Sequence, residues 1–176
     1  MPTSHQEPLF SHPLHEVFSA ARRAIQEEAS VIPCARIGDA GLVRELIDRH
    51  IVPLPEFETT AKTADLDDQG EFATYWHTIK NPESFHYQPA NPKAILHAYE
   101  AHLTDDELTL KFHAVTKPGA TKQTHQQMAD AIAANVESLC REIAPRNASL
   151  EEAAVQAIAA RKTFCEELER RRKDLL

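Results

Sequence analysis

The sequence predicts an all-α protein: a helical bundle of about six helices with a Pro-rich irregular middle segment at residues 52–92. Three observations favour this fold class. The chain has only four glycines against eleven prolines, which indicates helices ended by proline rather than hairpin-rich β structure. Apolar residues recur at helical spacing over long stretches. Two segments open with the capping pattern of a helix start, at Thr104 with Glu107 and at Ser149 with Glu152.

The first two helices are predicted in the N-terminal third of the chain. One runs from Pro13 to about Ser30, with a first-turn proline and an apolar stripe at the helical period. The other runs from Asp39 to about His50 and is apolar on one face. The prolines of "VPLPE" then favour extended backbone.

The segment "GEFATYWHTI" allows two interpretations. Phe72 and Ile79 can share one face of a helix, whereas the aromatic residues and threonines favour a strand. We expect a helix here, and we expect the following Pro-rich residues 80–92 to connect it irregularly to the next one.

The stretch from Ala101 to Ile132 also allows both a strand and a helix. Alternating apolar residues would suit a strand, namely Leu108, Leu110, Phe112 and Ala114. The capping pattern at Thr104 and the stop at Pro118-Gly119 favour helices instead, following an earlier helix that starts at Asn91-Pro92. We therefore predict a capped helical hairpin whose buried residues include Leu108, Phe112 and Val115.

The last two helices are predicted on either side of Pro145. The first starts at Thr121 or Thr124 and ends near Ala144, and the second runs from Ser149 to about Asp174. The stripe of the first contains Met128, Ile132, Val136, Leu139 and Ile143. In domain terms, residues 1–12 are expected to be a flexible tail, and residues 13–176 a single helical domain.

The stretch "ILHAYEAHLTDDELTLKFHAVTKPGATKQTHQQM" resembles the bacterial domain-of-unknown-function family numbered 2059 over about residues 90–140. The matching positions are Tyr99, Leu103, Thr104, Glu107, Leu108, Phe112, Pro118, Gly119 and Lys122. The resemblance implies a helical fold and no established enzyme activity. The chain departs from the family where His113 follows Phe112 in place of a tyrosine, and in showing no leader, because the family's members are usually secreted.

The charge balance limits the classes of partner. A formal net charge of −8 and a pI near 5.7 oppose general attraction to nucleic acid or anionic membranes. No run approaches the roughly 20 apolar residues that span a bilayer. The basic cluster Arg170–Lys173 fits a helix C-terminus. We therefore expect neither a nucleic acid nor a membrane as partner.

The N-terminus and the cysteines indicate a cytoplasmic protein, or a periplasmic one if a leader peptide was removed. The first residues have prolines but neither a basic flank nor an apolar core. Three cysteines are too few and too scattered to predict a disulfide framework. Cys140 and Cys165 are expected to be buried thiols, and Cys34 an exposed one.

Ten histidines make a metal site worth testing. His97 and Glu100 share a helical face and are the candidate ligands, although no established metal-binding motif accompanies them. The four scattered glycines exclude phosphate-binding and dinucleotide-binding loops, and no cofactor is expected. No residue is assigned a catalytic role.

These observations favour a non-enzymatic protein that binds another protein, or itself as a possible homodimer. An adaptor, an immunity-type protein or a chaperone-like accessory protein would each suit Ala-rich helices with apolar faces. The alternative is a metal-dependent or general acid/base hydrolase that uses histidines and carboxylates near the helices predicted at 97–113.

Overall fold

The computed structural model describes residues 8–95, 98 and 100–175, and these residues form a mixed α/β protein. Three α-helices and seven strands lie within the described residues. The prediction of an all-α helical bundle with about six helices is therefore wrong. The chain divides into two compact units: Met1–Leu14 with Pro53–Glu142, and His15–Val52 with Ile143–Leu176.

The first unit contains the strands. In chain order they are β1 (His12–Pro13), β2 (Glu56–Phe57), β3 (Thr63–Leu66), β4 (Phe72–Lys80), β5 (Tyr87–Gln88), β6 (Glu100–Leu103) and β7 (Glu107–His113). The main sheet has the order β2-β4-β7-β6, and β3 also pairs with β4. All pairs in this sheet are antiparallel. Strands β1 and β5 form a separate parallel pair, beside which the Phe10 N–H donates to the Phe85 carbonyl at 2.7 Å.

One face of the main sheet is buried. Alternate residues of β4 and β7 make this face, and its buried members are Ala73, His77, Ile79, Leu108, Leu110 and Phe112. The first part of helix α3 (Ala120–Asp174) covers the face, because the His125 ring stacks on the Tyr75 ring with 3.7 Å between centroids. The opposite face carries half-buried side chains, including Trp76.

Residues 104–117 are not the predicted helix. Strand β7 uses the alternating pattern, so Leu108, Leu110 and Phe112 are buried while Val115 is exposed. The residues that suggested a helix cap instead close the β6–β7 hairpin: the Thr104 N–H donates to the Glu107 carbonyl at 2.9 Å. A threonine followed by two aspartates suits a tight turn as well as a helix start, since both conformations satisfy local backbone donors with short polar side chains.

The Pro-rich middle segment is also more regular than predicted. Residues 52–92 contain strands β2 to β5 and a short 3-10 helix at Pro82–His86. The β propensity of the threonines and aromatic residues in "GEFATYWHTI" decides the conformation here, because β4 finds partners on both edges.

The helix predicted from Asn91 is absent from the described residues. Glu100–Leu103 form strand β6, whereas residues 96, 97 and 99 lie outside the described part of the chain. The buried Asn135 amide fixes the segment before it. Its oxygen accepts the Lys93 N–H at 2.7 Å, and its nitrogen donates to the Lys93 carbonyl at 3.1 Å.

The second unit is helical. Helices α1 (Leu14–Ser30) and α2 (Leu42–Asp48) confirm the two helices predicted in this region, with α2 shorter than expected. Asn147 joins this unit's last helix to the end of the segment after α2, because its side chain bonds both the N–H and the carbonyl of Val52.

Helix α3 is continuous from Ala120 to Asp174, so the predicted break at Pro145 is wrong. A proline inside a helix removes one hydrogen bond and costs about 3 kcal/mol. Buried residues continue at helical spacing on both sides of it: Leu139, Ile143, Leu150 and Ala154. Each large apolar side chain buried this way contributes about 1.5–3 kcal/mol, which outweighs the proline.

A disulfide joins Cys34 to Cys165 in the second unit, with 5.5 Å between the Cα atoms. This differs from the expectation of three unpaired cysteines with Cys34 as an exposed thiol. The pairing was not predictable from the sequence, because the two cysteines are 131 positions apart and only the fold brings them together. Cys140 is half-buried, and its Sγ contacts the Pro55 carbonyl at 3.4 Å.

Candidate functional site

In the second unit, α1 and the last part of α3 run side by side in the same direction. The Arg22 guanidinium donates to the Ser149 hydroxyl at 2.6 Å, and the Arg161 Nε donates to the Ile32 carbonyl at 3.0 Å. With the Cys34–Cys165 disulfide, these contacts have sequence separations of 127, 129 and 131. The separation is nearly constant, so residues later in the first segment contact residues correspondingly later in α3. The two helices are therefore parallel neighbours.

A surface groove follows this helix pair. It consists of two adjoining cavities of about 450 and 480 Å³ that share Gln26. The first cavity is lined by His15, Phe18, Ser19, Arg22, Arg23, Arg146 and Ser149. The second is lined by Ser30, Ala153, Gln156, Ala157, Ala160, Arg161 and Phe164. We call the whole feature the α1–α3 groove, with a basic end and an apolar end.

The basic end contains three arginines that have no carboxylate partner among the described residues. Within the described part of the chain, Arg22, Arg23 and Arg146 have no carboxylate oxygen within 4 Å. Other arginines are paired in this way, for example Arg36, Arg49, Arg141 and Arg171. In a chain of net charge −8, this cluster is a local positive patch that favours an anionic ligand.

The apolar end has a floor of small side chains and an aromatic wall. Ala153, Ala157 and Ala160 lie at helical spacing on α3, so their side chains share one face. Phe164 stands beside them with 51% of its surface exposed, and the Arg161 guanidinium lies 4.9 Å from its ring centroid. Alanine leaves room for another backbone to approach closely, while an exposed phenylalanine offers apolar area for burial.

The described lining of the groove combines hydrogen-bond donors with apolar side chains. Its lining holds neither a thiol nor a carboxylate, and His15 is exposed at its rim. The Ser19 hydroxyl, one helical turn after His15, donates to the His15 backbone carbonyl at 2.8 Å. What the lining offers is directed donors at one end and apolar area at the other.

The predicted metal ligands are not brought together in the described residues. His97 lies outside the described part of the chain. Glu100 is exposed at the start of β6, where its Oε2 lies 3.9 Å from the Lys111 Nζ. No group of three or more histidine, cysteine, aspartate or glutamate side chains among the described residues is placed to hold a metal ion.

A second polar feature lies in the core of the first unit: the buried histidines His77 and His125. Their Nε2 atoms are 2.8 Å apart, and the His77 Nδ1 donates to the Glu58 carbonyl at 2.8 Å. Since His77 Nδ1 carries the proton, its Nε2 accepts one from His125. Burial lowers the pKa of both side chains, that of His125 to about 4, where the neighbouring His77 adds to the effect.

Neither feature was identified from the sequence. The histidines are 48 positions apart, on a strand and a helix, and only the fold brings them together. Arg22 and Arg23 lie within the helix predicted from Pro13 to about Ser30, whereas Arg146 lies between the two helices predicted on either side of Pro145. One signal of the arginine cluster was present in the sequence. Two adjacent arginines lie on a predicted helix of an acidic chain, and the residue four positions after Arg22 is Gln26 and not an acid.

No known protein family, no curated protein and no solved structure matches this chain. The resemblance noted over residues 90–140 therefore stays a prediction. No helix among the described residues is long and apolar enough to cross a membrane.

Proposed function

We propose that this protein acts by binding a helical segment of a partner protein in the α1–α3 groove. One observation carries the proposal: a single groove contains an alanine floor beside an exposed phenylalanine and three arginines that pair with no carboxylate among the described residues. Amphipathic helices bind in grooves of this kind by burying an apolar stripe and pairing charges at one end.

The dimensions favour a helix as occupant. The groove follows α1 from His15 to Ser30, which is about 22 Å at 1.5 Å per residue and accommodates about four turns of a third helix. Packed helices lie 8–10 Å apart, and small side chains permit the shorter distances. A helix bound there would cover Phe164 and complete a bundle with α1 and α3.

The charges favour an acidic end on that helix. Arg22, Arg23 and Arg146 would each donate a charge-assisted hydrogen bond to an aspartate, a glutamate or the terminal carbonyls of the bound helix. The partner segment is therefore an amphipathic helix with an apolar stripe facing the alanine floor and acidic residues near one end.

A partner protein fits better than a second copy of this chain. In a symmetric dimer the same patch meets itself, and a groove facing a groove supplies no helix to fill either one. Two arginine clusters would also be brought together without carboxylates between them. A crosslink only to a second copy of this chain would therefore count against a separate partner protein.

The test is photo-crosslinking in the cells that naturally produce the protein. A benzoylphenylalanine at Ala157, on the groove floor, should yield an adduct with one partner protein. The control position is Lys162, which is exposed and lies about 140° from Ala157 around the helix. The same residue placed there should yield no such adduct.

The arginines supply the matched variant. Adding Arg22→Glu and Arg146→Glu to the Ala157 probe should remove the adduct, while circular dichroism shows the same helix content. Adducts of equal yield from Lys162, an adduct only with a second copy, or no adduct at Ala157 would each refute the proposal.

A further inference from the structure

Strand β3 forms part of an exposed edge of the main sheet in the first unit. All four of its residues are exposed, and β4 is its sole strand partner within the described residues. The Asp67 N–H donates to the Phe72 carbonyl at 3.0 Å, so by alternation Asp65 and Thr63 also direct their backbone groups toward β4. Ala64 and Leu66 direct theirs outward, where an added strand would bind.

The outward groups are only partly occupied. The Leu66 N–H is bound to its neighbour's side chain, the Asp65 Oδ1, at 2.8 Å. In the described part of the chain, the Ala64 N–H donates no hydrogen bond to a group outside the sheet. Exposed edges with unpaired backbone groups are the sites at which extended peptides add to a sheet.

Cavities flank β3 on both faces of the sheet. One, of about 630 Å³, is lined on the strand by Ala64 and Leu66 and on β4 by Ala73 and Tyr75. The other, of about 550 Å³, is lined by Thr63 on β3, Trp76 on β4, Lys62 and Glu107, and Ala64 and Asp65 border both cavities. Because side chains of a strand alternate between faces, a peptide added beside β3 would place alternate residues over the two cavities.

The larger cavity has the chemistry of an apolar pocket with a basic rim. Two exposed apolar side chains lie in it, Leu66 at 53% and Val115 at 52% of their surface. Lys117 and Lys122 line it beside Gly119, where the N-terminus of α3 adds positive potential. Asp65 is the carboxylate in this lining. An apolar residue next to an acidic one would match this pocket.

We propose that the β3 edge binds an extended peptide segment as an additional strand, with an apolar residue over the larger cavity and an acidic residue at Lys117 and Lys122. This site is separate from the α1–α3 groove: it lies in the other unit and takes a strand rather than a helix. The protein would then have two binding surfaces with different sequence preferences.

The test begins with selection of binders from a random library of short displayed peptides on the full-length protein. The expected consensus alternates apolar and polar residues and has an acidic residue beside one apolar position. Ala64→Pro removes an outward N–H that β4 does not use, so the sheet tolerates it while the peptide loses a hydrogen bond. Loss of that bond and crowding by the ring should weaken selected peptides about tenfold.

Three variants complete the design. Ala64→Thr keeps the N–H, so it should weaken the selected peptides less than Ala64→Pro does. Lys117→Glu with Lys122→Glu leaves the backbone intact and should weaken the acidic peptides about tenfold or more. Arg22→Glu with Arg146→Glu alters only the groove and should have no effect, which separates this proposal from the proposed function. Failure to enrich any peptide would overturn the proposal, as would peptides that bind the Ala64→Pro and Lys117→Glu/Lys122→Glu variants like the unchanged protein.

Discussion

The His77–His125 pair is stable only while both rings are neutral. Each ring is buried, and the hydrogen bond between them needs one donor and one acceptor nitrogen. An unfolded histidine titrates near 6.5, whereas burial and its partner lower the pKa of His125 to about 4. The unfolded chain therefore takes up a proton before the folded chain does. The pair's contribution to the free energy of unfolding is complete above about pH 6.5 and decreases as the pH falls toward 4.

We expect the free energy of unfolding to fall by about 3 kcal/mol from this site between about pH 7 and pH 4. Guanidinium chloride unfolding at the two pH values measures the change. His125→Gln keeps a donor for His77 but does not titrate, so its pH dependence should be weaker. His102→Gln, at an exposed position on β6, should retain the full decrease. If the free energy of unfolding had the same pH dependence in all three proteins, the His77–His125 pair would not be the cause of the decrease.

Residue burial was predictable where it depends on one helix alone. The α3 stripe predicted at Met128, Ile132, Val136, Leu139 and Ile143 is buried throughout, because helical periodicity does not depend on what covers the face. Asn135, beside this stripe, bonds a segment 42 positions earlier. Such polar partners follow from the fold, and a pattern within one helix contains no information about them.

At the scale of single elements, β7 shows why helix and strand were confused. The alternation of Leu108, Leu110 and Phe112 was the correct signal, and the Thr104–Glu107 pattern fitted both a cap and a turn. The pairing with β4 and β6 decides the outcome, and neither strand was identified from the sequence. A sheet assembled from distant segments gives weaker local signals than a helix does.

A pair of substitutions distinguishes the strand from the predicted helix. Leu110 is fully buried in the strand, whereas the helical pattern placed Val115 in the core instead. Leu110→Ala should therefore lower the free energy of unfolding by about 2–5 kcal/mol. Val115→Ala should change it by less than about 0.5 kcal/mol. Denaturant unfolding of both variants checks this, and the reverse order would support the helix.

The continuity of α3 makes a separate prediction at Pro145. In the interior of a helix, alanine avoids the lost hydrogen bond and the ring clash that proline introduces. Pro145→Ala should raise the free energy of unfolding by about 1–3 kcal/mol. Ala148→Gly, at an exposed position one turn later, should lower it by about 1 kcal/mol. Thermal or denaturant unfolding measures both changes. A destabilising Pro145→Ala would indicate a turn at this position and contradict a continuous helix.

On the scale of the whole molecule, the disulfide links residues 131 positions apart and so constrains most of the unfolded chain. Loop-closure entropy for that length corresponds to about 5 kcal/mol of stabilisation. Cys34→Ser, or reduction of the unaltered protein, should lower the free energy of unfolding by up to that amount. Cys140→Ser should leave the effect of a reductant unchanged. Identical unfolding with and without reductant would show that the bond does not form.

The charge distribution explains why composition alone gave an incomplete view of binding. A net charge of −8 correctly describes the average surface, but it hides the arginines gathered along α1 and α3. Residues 127 positions apart meet in that cluster, as the contact of Arg22 with Ser149 shows. The fold class was mispredicted from local patterns, and the groove could not be predicted without the parallel pairing of two helices.

We propose that one partner helix occupies the whole α1–α3 groove. The most direct test of this proposal is a crosslinking map from both ends, with benzoylphenylalanine placed in separate proteins at Ser19 and at Ala157. Mass spectrometry of the adducts should find the same partner segment at both positions, with acidic residues near Ser19 and apolar residues near Ala157. Adducts with unrelated segments at the two ends, or with the acidic residues at Ala157, would show that no single helix fills the groove in this orientation.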